Sequence, residues 1–145
     1  MISFLEGTVV SIGVDFLLLQ VGGIGWKLQI STNTQQKLPL TGSEVKIYTH
    51  LQVRDDAFTL YGFYNLAEKA LFSELITVTG IGPKGAIKIL SAFPAETLKG
   101  AIANGDLELL TKIPGVGKKT AQRITLELRG KLEELDLPTE TSSQA

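Results

Sequence analysis

Two hydrophobic periods divide the chain. Up to about residue 63 apolar side chains recur at every second position; beyond it they recur at every third or fourth. Ile24, Trp26, Leu28 and Ile30 alternate with Gly25, Lys27, Gln29 and Ser31, the pattern of a strand with one buried face. Val45, Ile47, Thr49, Leu51 and Val53 alternate in the same way with Lys46, Tyr48, His50, Gln52 and Arg54. Phe58 to Phe63 has strand character as well. Ile2 to Ile12 and Phe16 to Val21 are apolar on both faces, so they read as strands whose inward side the pattern leaves open. Gly22-Gly23 predicts a hairpin turn. Thr32 to Lys37 predicts a short helical turn before a break at Leu38-Pro39 and a turn at Thr41-Gly42. Five or six short strands in about sixty residues predict a small closed barrel, for which the OB-fold is the commonest fit.

The second period predicts helices only. Asn65 precedes Glu68 at N-cap spacing, and Ala67, Leu71, Leu75 and Val78 then share one helical face. Ala86, Ile87 and Leu90 predict a short helix ending near Phe93. Pro94 is placed to start another helix and Asn104-Gly105 to end it. Asp106 can cap a brief helix to Lys112. Ile113-Pro114 leads to a longer helix running towards Leu135, weakened at Gly130 by roughly 1 kcal/mol relative to alanine. The fold class expected is α+β and multidomain: an OB-fold-like barrel over 1–64, an all-α tandem helix–hairpin–helix domain over 65–137, and a polar linker beginning at 138–145.

One stretch of the helical half occurs twice. Thr79-Gly80-Ile81-Gly82-Pro83-Lys84-Gly85-Ala86 returns 35 residues later as Pro114-Gly115-Val116-Gly117-Lys118-Lys119-Thr120-Ala121, and Lys88 and Ile89 fall on Arg123 and Ile124. Each copy reads as an apolar helix end, a Gly-x-Gly turn and a new helix with a cation in its first turn. Glycine permits positive φ and close approach of a ligand to backbone N–H groups. The helix start adds unpaired donors and the positive end of its dipole. One copy alone is as well explained as a plain connection. Two in register, each with a lysine two residues after the second glycine (Lys84 and Lys119), predict a pair of phosphate seats for a phosphodiester backbone. Such contacts position DNA without reading it. No long helix rich in Arg, Asn and Gln is present to read base edges, so selectivity for shape is expected.

The net charge of −1 changes this picture only until its distribution is considered. From Thr79 to Arg123 seven Lys/Arg face three acids, a local +4; from Ile124 to Glu140 two face five, a local −3. At 145 residues, with 43% hydrophobic and 20% charged residues, the composition is that of one ordinary or two small globular domains. Absence of cysteine excludes disulfides, cysteine-ligated zinc and cysteine-ligated iron–sulfur clusters, and fits a reducing compartment. The N-terminus lacks the basic region of a signal peptide, and no apolar run has the length of a membrane span, so a cytoplasmic protein without membrane association is expected.

Residues in the first half carry weaker signals. Trp26 is expected in the core; Lys27 and Lys46 are expected to be solvated. His50, the only histidine, has neither a second histidine nor a cysteine to share a metal, and no metal or other cofactor is expected. Arg54-Asp55-Asp56-Ala57 lies between two strand runs. On the residues alone it is a turn, since aspartate carboxylates bond nearby backbone N–H groups. Adjacent strand residues point to opposite faces, and no other acids lie near enough in sequence to complete a two-metal centre.

A barrel-like first half, the doubled hairpin and a polar exit together resemble the RuvA family of Holliday-junction-binding subunits. Met1-Ile2, Val21-Gly22-Gly23, Thr49-His50, Val53-Arg54-Asp55-Asp56-Ala57, Leu60-Tyr61-Gly62-Phe63 and both hairpins stand where that family has them. The resemblance implies a homotetramer, with an octamer left open, that holds a four-way junction open and roughly square-planar. It implies that duplex arms rest on the doubled hairpins, through Gly80, Gly82, Lys84, Gly115, Gly117, Lys118, Lys119 and Arg123, and that Asp55 and Asp56 form an acidic pin at the crossover. That replaces the plain turn. It implies no catalytic residue; the ATPase is the RuvB motor, and RuvC resolvase is a further implied partner. RuvA members carry a third, motor-binding domain after a flexible linker, and this chain ends where that linker would begin. The two alternatives are a fragment of a longer protein and a natural form without the motor contact; a fragment is expected, one that binds junctions without stimulating RuvB normally.

Two other readings compete. The segment Ile113 to Ala121 also resembles the hairpin of helix–hairpin–helix DNA glycosylases, where a lysine, here Lys119, serves as a Schiff-base nucleophile. The preceding barrel, and the lack of chain afterwards for a catalytic aspartate or a base-flipping pocket, oppose it. The second alternative is a single-strand-binding OB module with a dimerising helical tail.

Overall fold

The computed structural model describes residues 2–134. Two compact units follow one another, the first running to Lys69 and the second starting at Ala70. The sequence reading puts the boundary at 64/65; in the structure the helix entered there belongs by its first turn to the first unit. The expected linker, residues 138–145, and the expected helix end at Leu135 lie outside the described residues.

The first unit is a five-stranded barrel: β1 (Phe4–Ile12), β2 (Phe16–Val21), β3 (Ile24–Gln29), α1 (Thr32–Lys37), β4 (Glu44–Val53) and β5 (Phe58–Phe63). Strand order is β1-β2-β3-β5-β4, closed by β4 on β1. All pairings are antiparallel except β3 with β5. Val9, Leu17, Leu19, Leu28, Ile30 and Ile47 fill the interior. Two glycines allow close approach, Gly7 to the backbone of β2 and Gly62 to the interior side chains. A Cβ on Gly7 would lie 2.2 Å from the Gln20 carbonyl oxygen, and one on Gly62 would lie 2.9 Å from both Ile47 and Leu28. The ambiguous pattern of the first strand has a cause here. Register shifts between Val9 and Ser11, a β-bulge that changes which side chains face inward. Trp26 is only half-buried and packs against the core from its margin, and Ile24 next to the turn is exposed. The alternation marks their side of the strand correctly, but the barrel is too short to cover it. Lys27 and Lys46 are exposed, their ammonium groups 4.9 Å from the Phe16 ring centre and 4.4 Å from that of Phe4.

Ser31 caps α1, its hydroxyl accepting the Thr34 N–H at 3.1 Å. Asn65 caps α2 (Leu66–Leu75) through the Glu68 N–H at 2.9 Å. The Glu68 carboxylate does not return to the cap. It is buried and accepts hydrogen bonds from the hydroxyls of Ser31, at 2.7 Å, and Thr34. Thr34 in turn accepts the Tyr64 N–H. Burial raises the Glu68 pKa above the ordinary 4.5, partly opposed by the two hydroxyls and by Lys37. A raised carboxyl contributes stability that is complete below 4.5 and is lost as pH rises through the higher folded-state value. Glu68→Gln keeps the shape without the charge and should lack that part of the pH dependence. Thermal melts from pH 4 to 7 should show its midpoint gaining on the wild type as pH rises; parallel curves would contradict this.

The second unit continues with α3 (Pro83–Ala92), α4 (Ala95–Asn104), α5 (Leu107–Thr111), α6 (Lys118–Leu128) and α7 (Lys131–Glu134). Asp106 caps α5 through the Leu109 N–H, and Gly105, left-handed at φ 65°, ends α4. The single long helix expected from Lys118 towards Leu135 is interrupted at Arg129–Gly130, separating α6 from α7. Glycine at that point removes the helical preference that would have carried the chain across. The buried positions repeat at the same offset as the motif. Ile81 and Val116, Ala86 and Ala121, Ile89 and Ile124 are all core.

Candidate nucleic-acid interface

The two Gly-x-Gly turns have nearly the same backbone. Gly80 and Gly115 adopt φ of 92° and 87°, a region that a Cβ disfavours. In the first turn the Ile81 N–H bonds the Val78 carbonyl at 3.0 Å; in the second the Val116 N–H bonds the Ile113 carbonyl at 3.0 Å. Gly82 and Gly117 are the N-caps of α3 and α6, both extended, at φ −94° and −88°. Their carbonyls accept the first helical bonds, from Ala86 and Ala121, each at 2.9 Å. Neither helix carries a side-chain cap. The remaining first-turn N–H groups have no carbonyl within their own helix to bond.

The second glycine of each turn is the informative one. At extended φ any residue is allowed, and a Cβ on Gly82 or Gly117 would meet no atom within 4 Å beyond its chain neighbours. Steric room does not demand glycine there, although glycine is a favoured N-cap residue. Gly7 and Gly62 differ, because the protein itself occupies the space. The space outside both helix starts is therefore open to a group from beyond the chain.

The two turns are not equal. The first helical residue is Pro83 in one and Lys118 in the other, so the first turn has one N–H donor and one cation fewer than the second. Lys84, Lys118 and Lys119 are exposed on the first turns, as are Lys88 and Lys112 elsewhere in the unit. Lys99, one of the cations in the local positive charge, is 9% exposed and lies 3.7 Å from Glu96. It belongs to the helix packing, not to the surface patch. Arg123 is exposed, but its Nη1 donates to the Thr79 carbonyl at 3.2 Å. It ties α6 to the first hairpin, a brace that sequence reasoning missed, while a guanidinium has further N–H donors for an anion.

In the barrel unit, Arg54 to Ala57 connect β4 and β5, closed by the Arg54 N–H to the Ala57 carbonyl at 2.9 Å. Asp55 and Asp56 are exposed at the tip. His50 Nε2 is 3.1 Å from Gln52 Oε1, and its ring centre is 6.4 Å from that of Tyr61. Among the described residues no group of three His, Cys, Asp or Glu is placed to hold a metal. No helix among them is long and apolar enough to cross a membrane.

Comparison with known proteins decides between the readings. The model described as RuvA N terminal domain matches residues 1–62, and the SAM-like Helix-hairpin-helix tandem matches 72–131. A protein of Caldanaerobacter subterraneus subsp. tengcongensis named Holliday junction branch migration complex subunit RuvA is 43% identical over 143 residues, covering 98% of this chain and 76% of its own length. The chain belongs to the RuvA family. RuvA proteins of Chloroflexus aurantiacus and Solibacter usitatus are 45% and 48% identical, over 92% and 91% of this chain and 68% and 67% of theirs. The chain thus spans about two thirds to three quarters of these RuvA relatives. Its barrel and doubled hairpin are the fold class read from the sequence.

Proposed function

We propose that this chain is a non-catalytic, structure-specific DNA-binding subunit that grips four-way junctions without reading base order. It holds them open for branch migration driven by an ATPase partner of the RuvB type. It acts as a homotetramer with Asp55 and Asp56 near the crossover, with RuvC as a further partner and a cytoplasmic location. The relatives' shared name, which places them in a Holliday junction branch migration complex, supports this.

The observation that carries DNA binding is the pair of open glycines, Gly82 and Gly117, at uncapped helix starts flanked by exposed lysines. A phosphate there can meet backbone donors, the helix dipole and a lysine at once. Two such starts suit the two backbones of a duplex arm. The glycosylase alternative loses ground because Lys119 stands exposed on the first turn of α6, without the apolar enclosure that activates a Schiff-base lysine.

The test is Gly82→Ala combined with Gly117→Ala. The thermal midpoint should fall only modestly, since neither methyl meets protein and alanine is the poorer N-cap by about 0.5–1 kcal/mol per site, while affinity for a four-way junction falls about tenfold or more. A methyl at each N-cap displaces the phosphate from its donors, and charge-assisted hydrogen bonds are worth about 1.5–3 kcal/mol. Unchanged affinity would remove these turns from the DNA surface. Gly115→Ala is the contrasting variant: positive φ should cost about 1–2 kcal/mol of stability.

A further inference from the structure

The inward-facing row of β4 and β5 does not stop where the barrel core stops. Along β4, Ile47 and Thr49 are buried, Leu51 is half-buried against the core, and Val53 is 50% exposed. Along β5, Leu60 is buried and Phe58, two residues nearer the tip, is 76% exposed. Residues two apart in a strand face the same side. Leu51 pairs with Leu60 and Val53 pairs with Phe58, so the four side chains form one continuous stripe. The stripe that fills the barrel therefore runs on along the hairpin and emerges into water directly behind Asp55 and Asp56. Nothing in the barrel unit requires an aromatic ring there, and Phe58 contributes little to the core that Leu60 already closes.

We propose that Phe58, backed by Val53, is a stacking platform for a nucleobase released from pairing at the junction crossover. This rests on the assignment of the Asp55–Asp56 tip to that crossover. The chemistry of the tip selects the occupant. Two carboxylates repel a phosphodiester backbone, so a strand end that comes to this hairpin turns its phosphates away and presents its bases. A flat, exposed ring offers every base the same contact, because each has a π-face. That indifference to base identity suits a protein with no element for reading base edges. The hairpin then has two parts with separate work: the acids keep the backbones apart, and the ring shelters a base that has lost its partner.

The experiment compares the full 145-residue chain with Phe58→Ala and Phe58→Trp on three fluorescent DNAs: a four-way junction of fixed crossover, the same junction with abasic residues at the crossover, and a linear duplex. Native mass of each protein is measured alongside. Phe58→Ala is expected to bind the intact junction about 5- to 150-fold more weakly, the range of base–aromatic stacking. It should bind the abasic junction and the duplex like the wild type, and Phe58→Trp should retain junction affinity. Thymines placed at the crossover should become more reactive to permanganate in the Phe58→Ala complex, since an uncovered base exposes its 5,6 double bond. No loss on the intact junction, or an equal loss on the abasic one, overturns the proposal. So does a lower oligomeric mass for Phe58→Ala, which would make this face a seat for a second copy of the chain. Wild-type preference for the junction, retained by Phe58→Ala, would sink the stacking platform alone. No wild-type preference for the junction would sink the crossover assignment with it.

Discussion

Lys118→Ala combined with Lys119→Ala should weaken binding to both junction and duplex by about 30-fold per engaged protomer, with the fold intact. Both side chains are exposed on the first turn of α6, where none of the hydrogen bonds or ion pairs seen among the described residues involves them. A lysine about 4 Å from a phosphate in water-like surroundings is worth roughly 1 kcal/mol, so two give about 2 kcal/mol. The salt dependence separates this from a folding defect. Each lysine–phosphate pair removed should flatten the log–log slope of affinity against salt by roughly 0.9. Lys84→Ala in the first seat should do less, because Pro83 there already replaces one donor and one charge. Equal effects from the two seats would mean that the pseudo-symmetry of the backbone, not the residues on it, governs attachment. An unchanged slope in the double variant would remove Lys118 and Lys119 from the contact surface.

The opposite sign is expected at the hairpin tip of the barrel unit. Asp55→Asn with Asp56→Asn should leave junction binding intact or tighten it severalfold, since each close carboxylate–phosphate pair removed relieves roughly 1 kcal/mol of repulsion. Linear duplex affinity should not change. Both carboxylates are exposed at a turn held by the backbone bond from Arg54 to Ala57, so their removal should cost little stability. Tighter binding would have a consequence for branch migration: strands that settle too firmly at the crossover would move more slowly. A marked drop in junction affinity would contradict the repulsive pin and point to a contact in which the acids accept hydrogen bonds.

The helical unit was the more legible half because its signals are local. Asn65, Asp106 and Gly105 act within a few residues of where they stand, and the 35-residue repeat carries its own register. The exception was α6, where one glycine and the residue before it end a helix whose apolar period continues past them. The barrel was legible as a class and less so in detail. The Val9–Ser11 bulge scrambles the alternation that would orient β1. The buried Glu68 site joins Ser31 and Thr34 to a residue more than thirty positions later, and nothing local marks that pairing. Charge counting also misleads in one place: it treats Lys99 as surface, whereas the helix packing has buried it beside Glu96.

The candidate site was legible to the extent that glycine spacing and cations are local. Gly80 and Gly115 are where the backbone needs positive φ, as expected. The different reason for Gly82 and Gly117 emerges only when the space around them is known. Arg123, expected on DNA, also braces Thr79, a contact that sequence spacing could not show because it joins positions 44 residues apart. Phe58 had the opposite fate. It shares a strand face with the buried Leu60, and only the structure shows that this face emerges into water near the hairpin tip.

The claim that phosphate seats and an acidic tip, repeated by symmetry, select a branched DNA is tested most directly by competition. A labelled four-way junction is bound to the chain, linear duplex of the same total length is added, and the mass of the complex is measured. Four copies per junction, or eight, with linear duplex failing to displace the junction at large excess, is the result expected. Displacement at equal concentration, or a single copy on the junction, would contradict it.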